Sequence, residues 1–197
     1  MDSWREILEA AGYSVTLAQL QRYSGMDGAD MLDRLLPSAP DFEKKRLLEV
    51  QDTHYRRIDL ARTKSFPGVR DLFVTLKRCG FALGIATSCK KDELGRYDTS
   101  MGVLGLADAV ACGDDASKGK PHPDLYAVAL CKLGVKDAST CMAVGDSPYD
   151  AMAARTAGLH AAGVLTGGFS RAELIREGCA LVLDRAIDLP SHLTTLK

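Results

Sequence analysis

Two patterns of apolar and polar positions divide the chain. Over residues 2–64, apolar side chains recur at helical spacing. Trp4, Ile7, Leu8 and Ala11 fall on one helical face. Ser3 and Glu6 have the spacing of a capping box, with Ser3 as the N-cap, and Gly12 ends the helix. A second helix fits 16–23, and a third fits 29–36, stopped by Pro37. A long fourth helix fits 41–61, with Phe42, Leu47, Leu48, Tyr55 and Ile58 among its apolar positions. Four helices with short links predict a small bundle. From Phe66-Pro67-Gly68 onward, short apolar runs at 81–86, 109–111, 140–144, 160–164 and 180–183 alternate with helical segments near 69–79, 90–101, 124–133, 149–157 and 170–177. Strands without polar alternation are buried on both faces, which predicts a parallel sheet covered by helices. The chain therefore reads as a helical domain over 1–64 and a doubly wound α/β domain over 65–197.

Composition narrows the function classes. The chain has 197 residues, 25 Lys+Arg against 26 Asp+Glu, and a formal net charge of −1. That balance argues against a nucleic-acid or membrane-surface partner. Apolar residues at 46% and charged residues at 26% are ordinary globular values. No stretch approaches a membrane span, and the first twenty residues lack the apolar run of a signal peptide. The six cysteines form no CxxC pair, so the expectation is a reducing cytoplasm and no disulfide framework. The four histidines show no metal-ligand spacing.

In a parallel α/β sheet, ligands bind at the carboxyl ends of the strands. The run 81–86 delivers Thr87-Ser88 there. A hydroxyl with free N–H groups at a helix N-terminus suits a phosphate, and it also suits a plain N-cap, the commoner role. Gly119-Lys120-Pro121-His122-Pro123-Asp124 fixes Lys120 between prolines, where it can hold an anion or steady a carboxylate. Gly113 to Lys120 is no P-loop, because its glycines are one residue too far apart and Pro121 replaces the required hydroxyl. The run 140–144 delivers Gly145-Asp146-Ser147-Pro148-Tyr149-Asp150. Asp146 and Asp150, at i and i+4, converge from a strand end and a helix start, as an oxygen-ligated Mg²⁺ requires. The bland alternative is helix capping by Asp146 or Ser147.

Together these three sites resemble the haloacid dehalogenase-like superfamily, in its phosphoglycolate-phosphatase-like and β-phosphoglucomutase-like group with an α-helical cap. The resemblance implies that Thr87 and the Ser88 backbone bind the transferring phosphoryl group. It implies that Lys120 stabilises the phosphate and the nucleophile, and that Asp146, supported by Asp150, binds Mg²⁺. Gly25, Met26 and Asp27 in the cap loop fall where that group contacts its substrate. The implied activity is a Mg²⁺-dependent phosphatase working on a small phosphorylated metabolite through an aspartyl-phosphate. A sugar phosphomutase and a non-catalytic phosphate-binding module are the alternatives.

One part of the family pattern is absent. The superfamily begins with a buried strand ending in Asp-x-Asp-Gly-Thr, whose first Asp is the nucleophile and whose second is the general acid/base. Here Met1-Asp2-Ser3 stands at the link after that motif. Asp27-Gly28 and Asp114-Asp115 do not replace it, since neither follows a suitable strand. The resemblance therefore implies a core without its first, central strand, and no turnover by residues 1–197 alone.

Overall fold

The computed structural model describes residues 1–193. The chain divides into two units, Met1–Thr63 and Lys64–Lys197.

The first unit is all helix: α1 (Asp2–Ala10), α2 (Leu17–Arg22), α3 (Gly28–Leu35), α4 (Asp41–His54), a π-helical turn Tyr55–Asp59 and α5 (Leu60–Arg62). Ser3 is not the N-cap of α1, which begins two residues earlier than that cap would place it, with Met1 in the N-cap position. The Arg5 N–H already reaches the Met1 carbonyl, which places Ser3 inside the first turn. The cap geometry expected there occurs on α2 instead, where Thr16 and Gln19 satisfy each other's backbone N–H groups. Leu8, Leu20, Leu32 and Leu47 are almost wholly buried and form the core, with Trp4, Tyr13 and Met26 packed on its margin. Phe42, an apolar position of the fourth helix, points outward and is 74% exposed.

The second unit alternates helix and strand: α6 (Val69–Arg78), β1 (Gly84–Ala86), α7 (Lys91–Met101), β2 (Ala109–Ala111), α8 (Asp124–Lys132), β3 (Met142–Gly145), α9 (Pro148–Thr156), β4 (His160–Val164), α10 (Arg171–Arg176), β5 (Cys179–Leu183) and α11 (Pro190–Leu193). Every strand pairing is parallel. β1 is shorter than the run 81–86: the Phe81 N–H closes α6 on the Leu76 carbonyl, the Leu83 N–H goes to the Asp108 carboxylate at 2.7 Å, and the first residue in register with β2 is Gly84.

The sheet falls into two pieces, β1–β2 and β3–β4–β5, and no ladder joins β1 to β3 among the described residues. A parallel strand turns alternate residues toward each neighbour. The Thr87 N–H bonds the Ala111 carbonyl, and the Ala109 N–H bonds the Leu83 carbonyl. Gly84 and Ala86 therefore face away from β2. The His160 N–H bonds the Cys141 carbonyl, so Met142 and Val144 face away from β4. Val144 is 38% exposed, although the run it belongs to reads as buried on both faces. The outer edges are treated differently. Lys132 Nζ donates to the Val110 carbonyl at 2.7 Å on β2, and Arg171 donates to the Val182 carbonyl on β5. Charged side chains on an edge block further pairing. On the inner edge of β1, Lys120 Nζ donates to the Ala86 carbonyl at 3.3 Å, at the strand's carboxyl end.

Candidate active site

The carboxyl ends of β1 and β3 meet at Lys120. Its ammonium lies 2.6 Å from Asp150 Oδ1 and donates to the Ala86 carbonyl at 3.3 Å. The Lys120 side chain is 15% exposed and that of Asp150 10%. Lys120 precedes a cis peptide bond to Pro121. The ring of Tyr126, one turn into α8, faces the ammonium with its centroid 5.5 Å away.

Asp150 is also held from its own helix. Ser147 caps α9, its hydroxyl accepting from the Asp150 N–H at 3.2 Å. The Asp150 carboxylate answers by accepting from the Ser147 N–H at 3.1 Å and from its hydroxyl at 2.6 Å. Pro148 at the first helical position has no N–H to leave unpaired. The capping expectation for Ser147 and the converging-acid expectation for Asp150 are thus both met by one local structure.

Asp146 lies at the end of β3, partly buried. Burial and the Asp150 charge push its carboxyl above the ordinary range, partly offset by Lys120. Two glycines make room for these acids. A Cβ on Gly145 would lie 2.2 Å from the Asp150 Cβ, and one on Gly167, after β4, would lie 2.1 Å from the Asp146 carbonyl oxygen. Neither contact is possible for a side chain, so both positions require glycine.

Thr87 follows β1 directly and is partly buried, whereas Ser88 is exposed. Thr87 is not an N-cap. Its hydroxyl accepts from the Cys89 N–H at 3.1 Å, and α7 begins only at Lys91. The turn at Ser88 packs on Gly113, where a Cβ would lie 2.5 Å from the Ser88 carbonyl oxygen.

Thr87, Lys120, Asp146 and Asp150 thus gather at the strand ends of the second unit. Gly25, Met26 and Asp27 lie in the helical unit. There Asp27 caps α3 through the Ala29 N–H at 2.9 Å, and Met26 packs on the core. Tyr126, Ser147 and Gly167 complete the site. Only Ser147 has a local sequence signal, the capping-box spacing to Asp150.

The oxygen chemistry of Asp146 suits Mg²⁺; its carboxyl is raised first by burial and then by the Asp150 charge. Among the described residues, no group of three or more His, Cys, Asp or Glu side chains converges as a complete cage. Mg²⁺ normally keeps several waters and takes one or two carboxylates.

Comparison with known proteins bears on this arrangement. The family model described as haloacid dehalogenase-like hydrolase matches residues 1–164. A validoxylamine A 7'-phosphate phosphatase from Streptomyces hygroscopicus subsp. limoneus is 25% identical over 183 residues, covering 93% of this chain and 84% of its own. A phosphoglycolate phosphatase from Yersinia pseudotuberculosis is 32% identical over 177 residues, covering 84% of this chain and 75% of its own. The crystal structure of a hydrolase from Pseudomonas syringae superposes with a TM-score of 0.88 at 30% identity, covering 99% of this chain and 90% of that one. A β-phosphoglucomutase from Clostridium difficile shares the fold, with a TM-score of 0.80 at 20% identity over 98% of this chain and 86% of that one. On this match and on its parallel α/β architecture, the chain belongs to the haloacid dehalogenase-like hydrolase family.

Proposed function

We propose that the chain carries the phosphate-handling part of a Mg²⁺-dependent phosphatase for a small phosphorylated metabolite. The observation that carries this reading is the Lys120 ammonium, largely buried and held at the strand ends by Asp150 and the Ala86 carbonyl, where its charge also acts on Asp146. Two relatives named for phosphatase activity support it.

Within this reading, Lys120 directs its remaining N–H toward a phosphoryl oxygen, having given one to Asp150 and one to the Ala86 carbonyl. Thr87 and the N–H groups of its turn hold the other oxygens. Asp146 is the residue that would hold Mg²⁺. The metal, when bound, supplies further neutralisation of phosphoryl charge. In-line attack needs little from the protein beyond such positioning and charge stabilisation. The attacking carboxylate comes from none of these residues. Among the described residues β1 and β3 do not pair with each other, and within this reading one more parallel strand lies between them with its carboxyl end beside Lys120. A strand there carrying the nucleophile completes the reading, and Gly25, Met26 and Asp27 are its proposed substrate contacts.

Calorimetry on the 197-residue chain tests the reading. Inorganic phosphate should bind in the presence of Mg²⁺, and binding should be lost in Lys120→Ala and in Asp146→Asn. No heat with the unaltered chain overturns it. The same chain should leave p-nitrophenyl phosphate intact. Turnover abolished by Asp146→Asn would refute the need for a further strand.

A further inference from the structure

The outward face of α4 is not the polar surface of a solvated helix. Phe42 is 74% exposed, and Val50, two turns further on, is 41% exposed. Positions 42, 46 and 50 follow at four-residue spacing and so share a face. Val50 also borders a groove between α1 and α4, walled by Ile7, Ala10, Ala11, Leu47 and His54. The groove offers about 230 Å³. An apolar cavity of about 150 Å³ already accepts benzene, so this space suffices for a phenyl ring. On the other flank of α4, Lys45 and Glu49 are exposed. Among the described residues, neither side chain makes a hydrogen bond or ion pair. They stand at i and i+4, but lysine precedes glutamate, the weaker order for a pair within one helix. One helix thus displays an apolar knob, the edge of an apolar groove, and an unpaired charge of each sign.

We infer that α4 is the surface through which two copies of this chain pair, as antiparallel helices related by a two-fold axis at the level of Leu47. A two-fold interface uses the same patch on both copies, so the patch must complement itself. About Leu47 this one does. Lys45 stands opposite Glu49 of the second copy, and Glu49 opposite Lys45 of that copy, so the exposed charges become two ion pairs. In the same register Phe42 is level with position 52 of the second copy, between its Val50 and its His54, at the mouth of the groove. A two-fold axis across antiparallel helices brings each flank against the same flank. The charged flanks therefore meet each other, and each knob meets a groove. Arg46 lies near the axis, but Glu43 of its own chain already matches its charge at 2.7 Å. With 14 residues, α4 is about 21 Å long, a small footprint against the roughly 800 Å² per partner of a standard interface. The pairing is accordingly weak and concentration-dependent. It concerns the helical unit alone and stands whether or not the phosphatase reading holds.

Sedimentation velocity on the full 197-residue chain, from micromolar to submillimolar concentration, tests the inference. A monomer–dimer equilibrium is expected at low ionic strength, and added salt should shift it toward monomer. Phe42→Ser should weaken the dimer at least about tenfold, since an aromatic anchor is lost. Lys45→Glu and Glu49→Lys each turn two attractions into two repulsions, so each variant alone should be monomeric. Mixed in equal amounts, those two variants should pair with each other, because one then carries only acids and the other only lysines at the facing positions. The double variant Lys45→Glu/Glu49→Lys should pair with itself again. Lysine and glutamate have nearly equal helix propensity and both positions are exposed, so these exchanges leave the fold intact. A chain that stays monomeric throughout overturns the inference. So does a dimer that Phe42→Ser and both single charge reversals leave unchanged, which would place the contact elsewhere, such as on the strand edges. Charge-reversed chains that stay monomeric when mixed overturn it as well.

Discussion

Replacing Lys120 by Met isolates the energetic weight of the site. The substitution keeps most of the side-chain volume and removes the ammonium. Asp150 then loses its 2.6 Å partner while remaining a carboxylate in a 7% exposed position. Removing one member of a buried ion pair costs about 3–5 kcal/mol, because the other charge stays uncompensated. Ser147 and the Tyr126 hydroxyl still bond the carboxylate, which puts the expected cost at the low end, about 3 kcal/mol. For a chain of this length, 1 kcal/mol moves the melting temperature by about 2–4 °C, so the expected drop is about 6–12 °C. Intrinsic fluorescence is the wrong probe, since the single tryptophan, Trp4, lies in the helical unit. Far-UV circular dichroism, which follows the α/β unit as well, is the assay. Adding Asp150→Asn removes the stranded charge, so the double variant should be more stable than the sum of the two single changes predicts. A melting temperature within about 2 °C of the unaltered chain for Lys120→Met, or additivity within about 0.5 kcal/mol, would refute the reasoning.

Other consequences follow from neighbouring contacts. Gly167→Ala places a methyl against the Asp146 backbone and should cost about 1–3 kcal/mol in denaturant titration, with loss of Mg²⁺ affinity; unchanged stability and affinity would show that the loop after β4 does not seat Asp146. Thr87→Val removes the acceptor of the Cys89 N–H and should cost about 0.5–1.5 kcal/mol while weakening phosphate binding; phosphate affinity equal to that of the unaltered chain would remove Thr87 from the site. Asp146 carries a raised carboxyl pKa, so its native state binds a proton more tightly than the unfolded chain does. Its contribution is therefore favourable at acid pH and declines as pH rises from the ordinary carboxylate range through the raised value. Asp146→Asn should flatten that decline in a stability–pH series, and an identical slope in both proteins would contradict the assignment.

The parts of the fold that read directly from sequence depend on near neighbours. Residues 109–111 and 160–164 form strands with the expected bounds, because each is a compact apolar run closed by turns. The errors also have local physical causes. Ser3 has the spacing of a cap, but the backbone at Met1 takes that role. Thr87 has the residue type of a cap, but α7 starts four residues later and the hydroxyl closes a tight turn instead. The run 81–86 is apolar throughout, yet only its last three residues pair. The exposure of Val144 is not written in the pattern either, since an apolar run does not record whether both edges of its strand are paired.

The two acids show where sequence spacing stops being decisive. Asp146-Ser147-Pro148-Tyr149-Asp150 encodes two structures equally well: a pair of carboxylates converging on a cation, or a capping box in which the second acid turns back to Ser147. Within the segment nothing selects between them. The selection comes from Lys120 and Tyr126, 30 and 24 residues upstream of Asp150, which meet its outer oxygen. Gly167 likewise admits Asp146 from beyond the next strand. The chemical types at the strand ends are therefore legible in the sequence, while the division of labour among them is set by contacts across the sheet. At Asp150 that division is visible in the contacts themselves: the carboxylate meets the Lys120 ammonium at 2.6 Å and accepts from the Ser147 N–H at 3.1 Å and its hydroxyl at 2.6 Å, so a side chain 30 residues away decides which of two locally allowed structures the segment adopts.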